Sequence, residues 1–162
     1  MNNDQIIFRL TFPFVQTESI LDFIQMRRAD VAKRRENATT VAVLRGCKSE
    51  DGVLGALEVQ FQELHDSMLF GDYNSGTCGV VMSARLHEWL HEQMLKEVSR
   101  HDELWKVHAS RADCTGFAAT EKHMWEQLTN LVSEFIPYEG DATDTRLVQD
   151  DPGFDRLLQE VA

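Results

Sequence analysis

The chain has 162 residues, enough for one domain that buries a core without disulfides or a structural metal. At 43% hydrophobic and 27% charged residues it is neither a disordered nor a membrane-embedded chain, and no run nears the roughly 18 consecutive apolar residues that span a bilayer. Its formal net charge of −11 is unevenly spread: residues 1–48 carry eight Lys/Arg against five Asp/Glu, whereas residues 49–162 carry eight against 22.

A surface this acidic repels nucleic acid and anionic membrane, and it attracts a basic protein partner. Three cysteines (Cys47, Cys78, Cys114) make an odd number with no CxxC spacing, as expected of thiols in a reducing compartment. The polar start, Met-Asn-Asn-Asp, has no basic region followed by an apolar one, so a cytoplasmic protein is expected.

In chain order, Gln5 to Phe12 alternates, with Ile6, Phe8, Leu10 and Phe12 on one face, and reads as a strand ended by Pro13. Thr17 or Ser19 is placed to cap a helix running to about Glu36, buried through Ile20, Phe23, Ile24 and Val31. Arg27, Arg28, Lys33, Arg34 and Arg35 fall in its last turns, where cations complement the helix dipole; without interleaved aromatics they read as a solvated helix end. The β-branched run Thr39 to Arg45 predicts a second strand. Asp51-Gly52 predicts a turn, and Leu57 to Gln62 alternates as a strand would. Leu54, Leu57, Phe61, Leu64 and Met68 also fit a helical stripe, so the period over 53–69 is ambiguous. Gly71 to Gly76 reads as a turn-rich loop, and Cys78 to Met82 as a short strand feeding a long helix from Ala84 to about His108. A last long helix is expected from Thr120 through Phe135, stopped by Pro137.

These elements predict an α+β fold: a small, mostly antiparallel sheet of three to four strands, the first β-α-β parallel, packed with three main helices of which 84–108 is the longest. Residues 1–138 form the expected domain. Residues 139–162, with seven acidic side chains against two arginines, read as an acidic, loosely held tail.

The chemically specific stretch is His87-Glu88-Trp89-Leu90-His91. Histidines at i and i+4 share a helix face and can reach one Zn²⁺, while the intervening glutamate polarises a metal-bound water. Over these five residues the chain resembles zinc-dependent HExxH hydrolases. That resemblance implies His87 and His91 as metal ligands and Glu88 as general base. The flanks depart from the pattern, with Arg85, Glu92 and Gln93 where uncharged or apolar residues are usual. His101 and His108 fall within about 60° of His87 around the helix, on the same stripe as Leu90, Met94, Val98 and Trp105. His101 lies about 15 Å from His91 along the axis and cannot join the same ion. Folding helices 84–108 and 120–135 into an antiparallel hairpin places Glu139 or Asp141 as third ligand and sets His108 against residues 120–123. Cys78, near a helix start, is a weaker nucleophile candidate. No phosphate-binding or dinucleotide motif occurs, so no cofactor is expected, with zinc at His87 and His91 as the alternative.

The function expected first is a small acidic cytoplasmic protein-binding module, of inhibitor, immunity or anti-defence type, that occludes a basic surface of its partner. Asp141, Asp144, Asp150 and Asp151 are the expected contact residues. A zinc hydrolase built on His87, Glu88 and His91 is the alternative.

Overall fold

A computed structural model of the chain describes residues 4–70, 78–140 and 145–161. The alternating N-terminal stretch forms strand β1 (Gln5–Leu10), with Phe8 and Leu10 driven into the core. Pro13 then does more than end the strand. It occupies the first turn of helix α1 (Pro13–Glu36), where its fixed φ suits the helix and its missing N–H is not needed. Phe12 holds the N-cap position without a capping side chain, and the Gln16 side chain reaches back to accept the Phe12 N–H at 2.8 Å, so neither Thr17 nor Ser19 caps the helix. Thr17 is inside the helix, donating to the Pro13 carbonyl at 2.6 Å.

The second expected strand does not form. Residues Val41–Phe70 make a single 30-residue helix, α2, which is the longest of the chain. Thr40 starts it by accepting the Val43 N–H at 3.2 Å. Leu54, Leu57, Phe61, Leu64 and Met68 are all buried at helical spacing, so the apolar stripe decides the period against the β-branched run and the Asp51-Gly52 pair. The expected parallel β-α-β unit is lost with that strand. The expected loop at 71–76 lies outside the described residues.

Strand β2 (Cys78–Ser83) pairs antiparallel with β1, Phe8 facing Val80. It passes directly into helix α3 (Ala84–Ala109), capped by Ser83, whose Oγ accepts the Leu86 N–H at 3.1 Å. After a 3₁₀ turn at Ala112–Cys114, helix α4 runs over Thr115–Glu134. Strand β3 (Thr145–Leu147) adds parallel to β2, giving the order β1-β2-β3, and helix α5 (Gly153–Val161) closes the chain.

Of the expected loose tail, residues 145–159 are instead held in the fold. Val148, Phe154 and Leu157 are buried in the same core cluster as β1 and α1 to α4, and Trp89 meets Phe154 edge-on at 5.8 Å. Gln60 of α2 clamps the Gln149 backbone through both its amide nitrogen and its oxygen. Few apolar residues suffice because each of these points inward, at roughly 1.5–3 kcal/mol per buried large side chain.

The architecture is α+β: among the described residues, five helices and a small mixed three-stranded sheet. Helices α1 and α2 form one antiparallel hairpin, linked at Thr17–His65 and Arg27–Glu50. Helices α3 and α4 form a second, linked at His87–Phe135 and His108–Glu121. The sheet sits at the end where β1 and β2 enter α1 and α3. No helix of the described residues is long and apolar enough to cross a membrane.

Candidate functional site

The face of α3 that carries the histidines is turned into the protein, and each ring has a different environment. His87 is buried and stacks on Phe135 with ring centroids 4.2 Å apart and planes 13° from parallel; Phe8, tilted against Phe135 at 4.7 Å, lies 6.1 Å from the His87 ring. Burial and the neighbouring His91 hold its pKa down at about 4, against a weaker effect of the Phe135 backbone carbonyl, which accepts from the ring and favours its charged form. Its Nε2 has no hydrogen-bond partner. Glu88 is exposed, on the opposite flank, and Glu139 is exposed as well. Among the described residues, no three His, Cys, Asp or Glu side chains gather as metal ligands; Asp141 and Asp144 lie outside those residues. The ring stacked into the core thus behaves as a flat apolar filler next to an unused nitrogen. Cys78 is fully buried in β2, which removes it as an accessible nucleophile.

His108 meets Glu121 at 2.6 Å, inside the 120–123 stretch that hairpin geometry sets against it. The polar contacts of His101 stay on its own helix. Its Nε2 lies 3.5 Å from the Glu97 carboxylate on its own helix, and its Nδ1 is buried without a partner.

Glu97 belongs to a buried charge network that the sequence reading missed. Arg27, placed above among the solvated cations ending α1, is only 5% exposed. Its guanidinium reaches Glu97 at 2.9 Å and Gln93 at 2.7 Å on α3, and Glu50 at 3.3 Å on α2. Arg34 adds a 2.7 Å bond to the other oxygen of Glu50, and Arg100 a 2.6 Å bond to Glu97. Burial alone would push the Glu97 carboxyl up, yet the donors from His101, Arg100 and Arg27 outweigh it and hold the pKa down at about 2. The network joins three helices around one fixed charge and presents no reactive atom to solvent. Arg28 is likewise engaged, on Asp51 and Glu58.

The surface tells a different story. Between helices α1 and α4 runs a groove made of two adjoining hollows of about 200 and 250 Å³ that share Val15, Ser19, Gln127 and Leu131. Phe23, Leu128 and Leu131 form its buried floor. Phe12 and Val15 stand on its wall at 72% and 61% exposure. Met26 and Met124, partly exposed, line the far end.

Three carboxylates border this apolar trough: Glu18 and Asp22, one helical turn apart on α1, and Glu134 at the end of α4. None has an ion-pair partner among the described residues. Glu134 accepts only the Gln16 amide, at 2.7 Å. Partial burial pushes the Asp22 carboxyl up, and the Glu18 charge one turn away adds to it. Arg9 borders the Glu134 end but is committed elsewhere, lying over the Tyr138 ring at 4.4 Å with a 3.2 Å bond to its hydroxyl.

Of the expected contact residues, Asp150 and Asp151 are used within the fold. Asp150 accepts from Ser83 and Arg85, and Asp151 accepts the Gly153 N–H at the start of α5. In the sequence Glu18 and Asp22 are acids near the start of α1, where they suit the helix dipole and signal no groove. Their sequence signal is an i,i+4 acidic pair beside Val15 and Met26. Comparison of the chain with protein-family models, with curated proteins and with solved structures gives no match.

Proposed function

We propose that this chain is a protein-binding module that acts in the cytoplasm by occluding a basic surface of a partner. The observation that carries this reading is the set of three unneutralised carboxylates, Glu18, Asp22 and Glu134, gathered at an exposed apolar groove. The ion pairs of the fold go to other acids, Glu97, Glu50, Asp51 and Asp155 among them, and pass these three by. An acid left unmatched beside exposed apolar surface is positioned to meet a cation from outside. The net charge of −11 supports the same direction, since it steers a basic partner in and repels acidic ones. Unbridged thiols at Cys47 and Cys114 are consistent with a reducing compartment.

The test is retention of basic proteins by the immobilised chain at low and at physiological ionic strength, beside a Glu18→Lys/Asp22→Lys bait. Expected is a basic partner retained by the native chain, released as salt rises, and not retained by the charge-reversed bait. Equal retention by both baits, or no retention at low salt, refutes the reading.

A further inference from the structure

We infer that the α1–α4 groove takes an amphipathic cationic helix of the partner, about four turns long, with its apolar face on Phe12, Val15 and Met26. The inference rests on the reading of this surface as a site for a basic protein, and it specifies the element that binds there.

The shape argues for a helix. The groove lies between two antiparallel helices and extends along α1 from Phe12 to Met26, about 21 Å at 1.5 Å per residue. A guest helix of about 14 residues fills that length. Its lining on α1 follows helical ridges, with Val15, Ser19 and Phe23, then Met26, on the side facing α4. A third helix laid along the groove can pack on such ridges at the ordinary interaxial distance of about 8–10 Å. An extended strand would find no partners here, because the backbone hydrogen bonds of α1 and α4 are already made within each helix and the surface has no sheet edge.

The chemistry fixes the face of the guest. The buried floor is apolar and the wall is mixed, with Phe12 and Val15 beside Ser19, Gln127 and Asn130, while two partly exposed methionines supply side chains that adapt to the apolar face of a guest. The carboxylates set the positions of its cations. Glu134 is bonded to Gln16, so it lies level with residue 16 of α1, and Asp22 lies six residues further on, about 9 Å along the axis. Lys or Arg residues six or seven positions apart, flanking an apolar stripe of i, i+3, i+4, i+7 spacing, meet both ends. The like-charge pair Glu18–Asp22 is destabilising in the free protein, and a guest cation relieves it.

The probes are two synthetic peptides of one composition, built from Lys, Leu and Ala. One has the leucines on a single helical face, and the other has them permuted around the helix. Binding is read by fluorescence anisotropy, and folding by circular dichroism. The facially amphipathic peptide is expected to bind about tenfold more tightly than its permuted twin and to gain helicity on mixing. A Phe12→Ser/Val15→Ser variant, at positions exposed enough to leave the fold intact, is expected to remove that preference while keeping the salt dependence. Equal affinity for both peptides overturns the helix inference and leaves the basic-partner reading standing, since charge alone then accounts for binding. A preference that survives Phe12→Ser/Val15→Ser overturns it as well, because the apolar face would then lie elsewhere. Loss of both peptides from Glu18→Lys/Asp22→Lys alone, with the preference intact in the native chain, supports both.

Discussion

Replacing Glu97 with glutamine tests whether the buried network contributes stability through its charge. The substituted side chain keeps the shape and still accepts from Arg27, but its amide nitrogen faces the Arg100 donor that now bonds Glu97 at 2.6 Å. The carboxyl sits at a pKa of about 2 against an ordinary 4.5, which at 1.36 kcal/mol per pH unit corresponds to about 3 kcal/mol of stabilisation. Glu97 is fully buried, so solvent screening does not reduce this figure much. The sign follows from the depressed pKa: the contribution is complete above about pH 4.5 and is lost as pH falls through 4.5 toward 2. Urea unfolding of native and Glu97→Gln proteins at neutral pH should therefore differ by about 3 kcal/mol, a large share of an ordinary domain's total. The gap should close as the pH is lowered through that window. A difference under about 1 kcal/mol at neutral pH, or one that persists unchanged to pH 2, would refute the account.

Phe154→Ala, which empties a fully buried site in α5, is expected to cost about 3–5 kcal/mol in urea unfolding; a loss within 1 kcal/mol would mean that the C-terminal helix is a dispensable appendage. His87→Phe keeps the stack on Phe135 and removes an unpartnered nitrogen, so stability at neutral pH is expected to hold or rise; a loss above about 2 kcal/mol, or a metal content that disappears with the substitution, would show that the ring does more than fill space. The Asp22 carboxyl, pushed up by burial and by Glu18, titrates back down when a cation arrives. Affinity for a cationic peptide should then be full above the carboxylate range and fall as pH drops into it, as isothermal titration would show; affinity independent of pH would remove Asp22 from the contact.

What the sequence discloses and what it hides divide along the range of the interactions involved. Strand β1 and helix α3 are legible because one apolar period runs through each without a competing signal. Helix α2 is not, since Thr39 to Val43 and Asp51-Gly52 imitate strand and turn locally, and only packing of Leu54, Leu57, Phe61 and Leu64 against α1 settles the matter. The same holds for Arg27, which falls on the buried stripe of α1 between Ile24 and Val31. An arginine at a core position signals a buried partner, and Glu97 beside Met94 on α3 is the matching signal. Pairing the two requires knowing that α1 and α3 adjoin, which neither helix states alone. The groove is hidden for an equivalent reason: its acids sit on α1 and α4, 112 positions apart from Asp22 to Glu134, and its apolar wall exists only because α1 starts at Pro13 instead of near Thr17.

The distribution of cations explains why the groove acids must look outward. Arg27, Arg28, Arg34, Arg85, Arg100 and Lys106 are all spent in ion pairs. Lys33, Arg35, Arg45 and Lys48, which have no ion pair among the described residues, gather around the turn between α1 and α2. From Asp22 to Arg35 along α1 is about 20 Å, more than two Debye lengths at physiological salt, so those charges are screened from the groove. Lys122, near the Met124 end, is drawn over the Trp105 ring at 5.3 Å. Folding therefore leaves Glu18, Asp22 and Glu134 without an internal counter-ion at the place where Phe12 and Val15 also remain uncovered. A single partner surface that is both cationic and apolar satisfies all five side chains at once, whereas a small metal cation or a purely apolar guest would leave one set unmet.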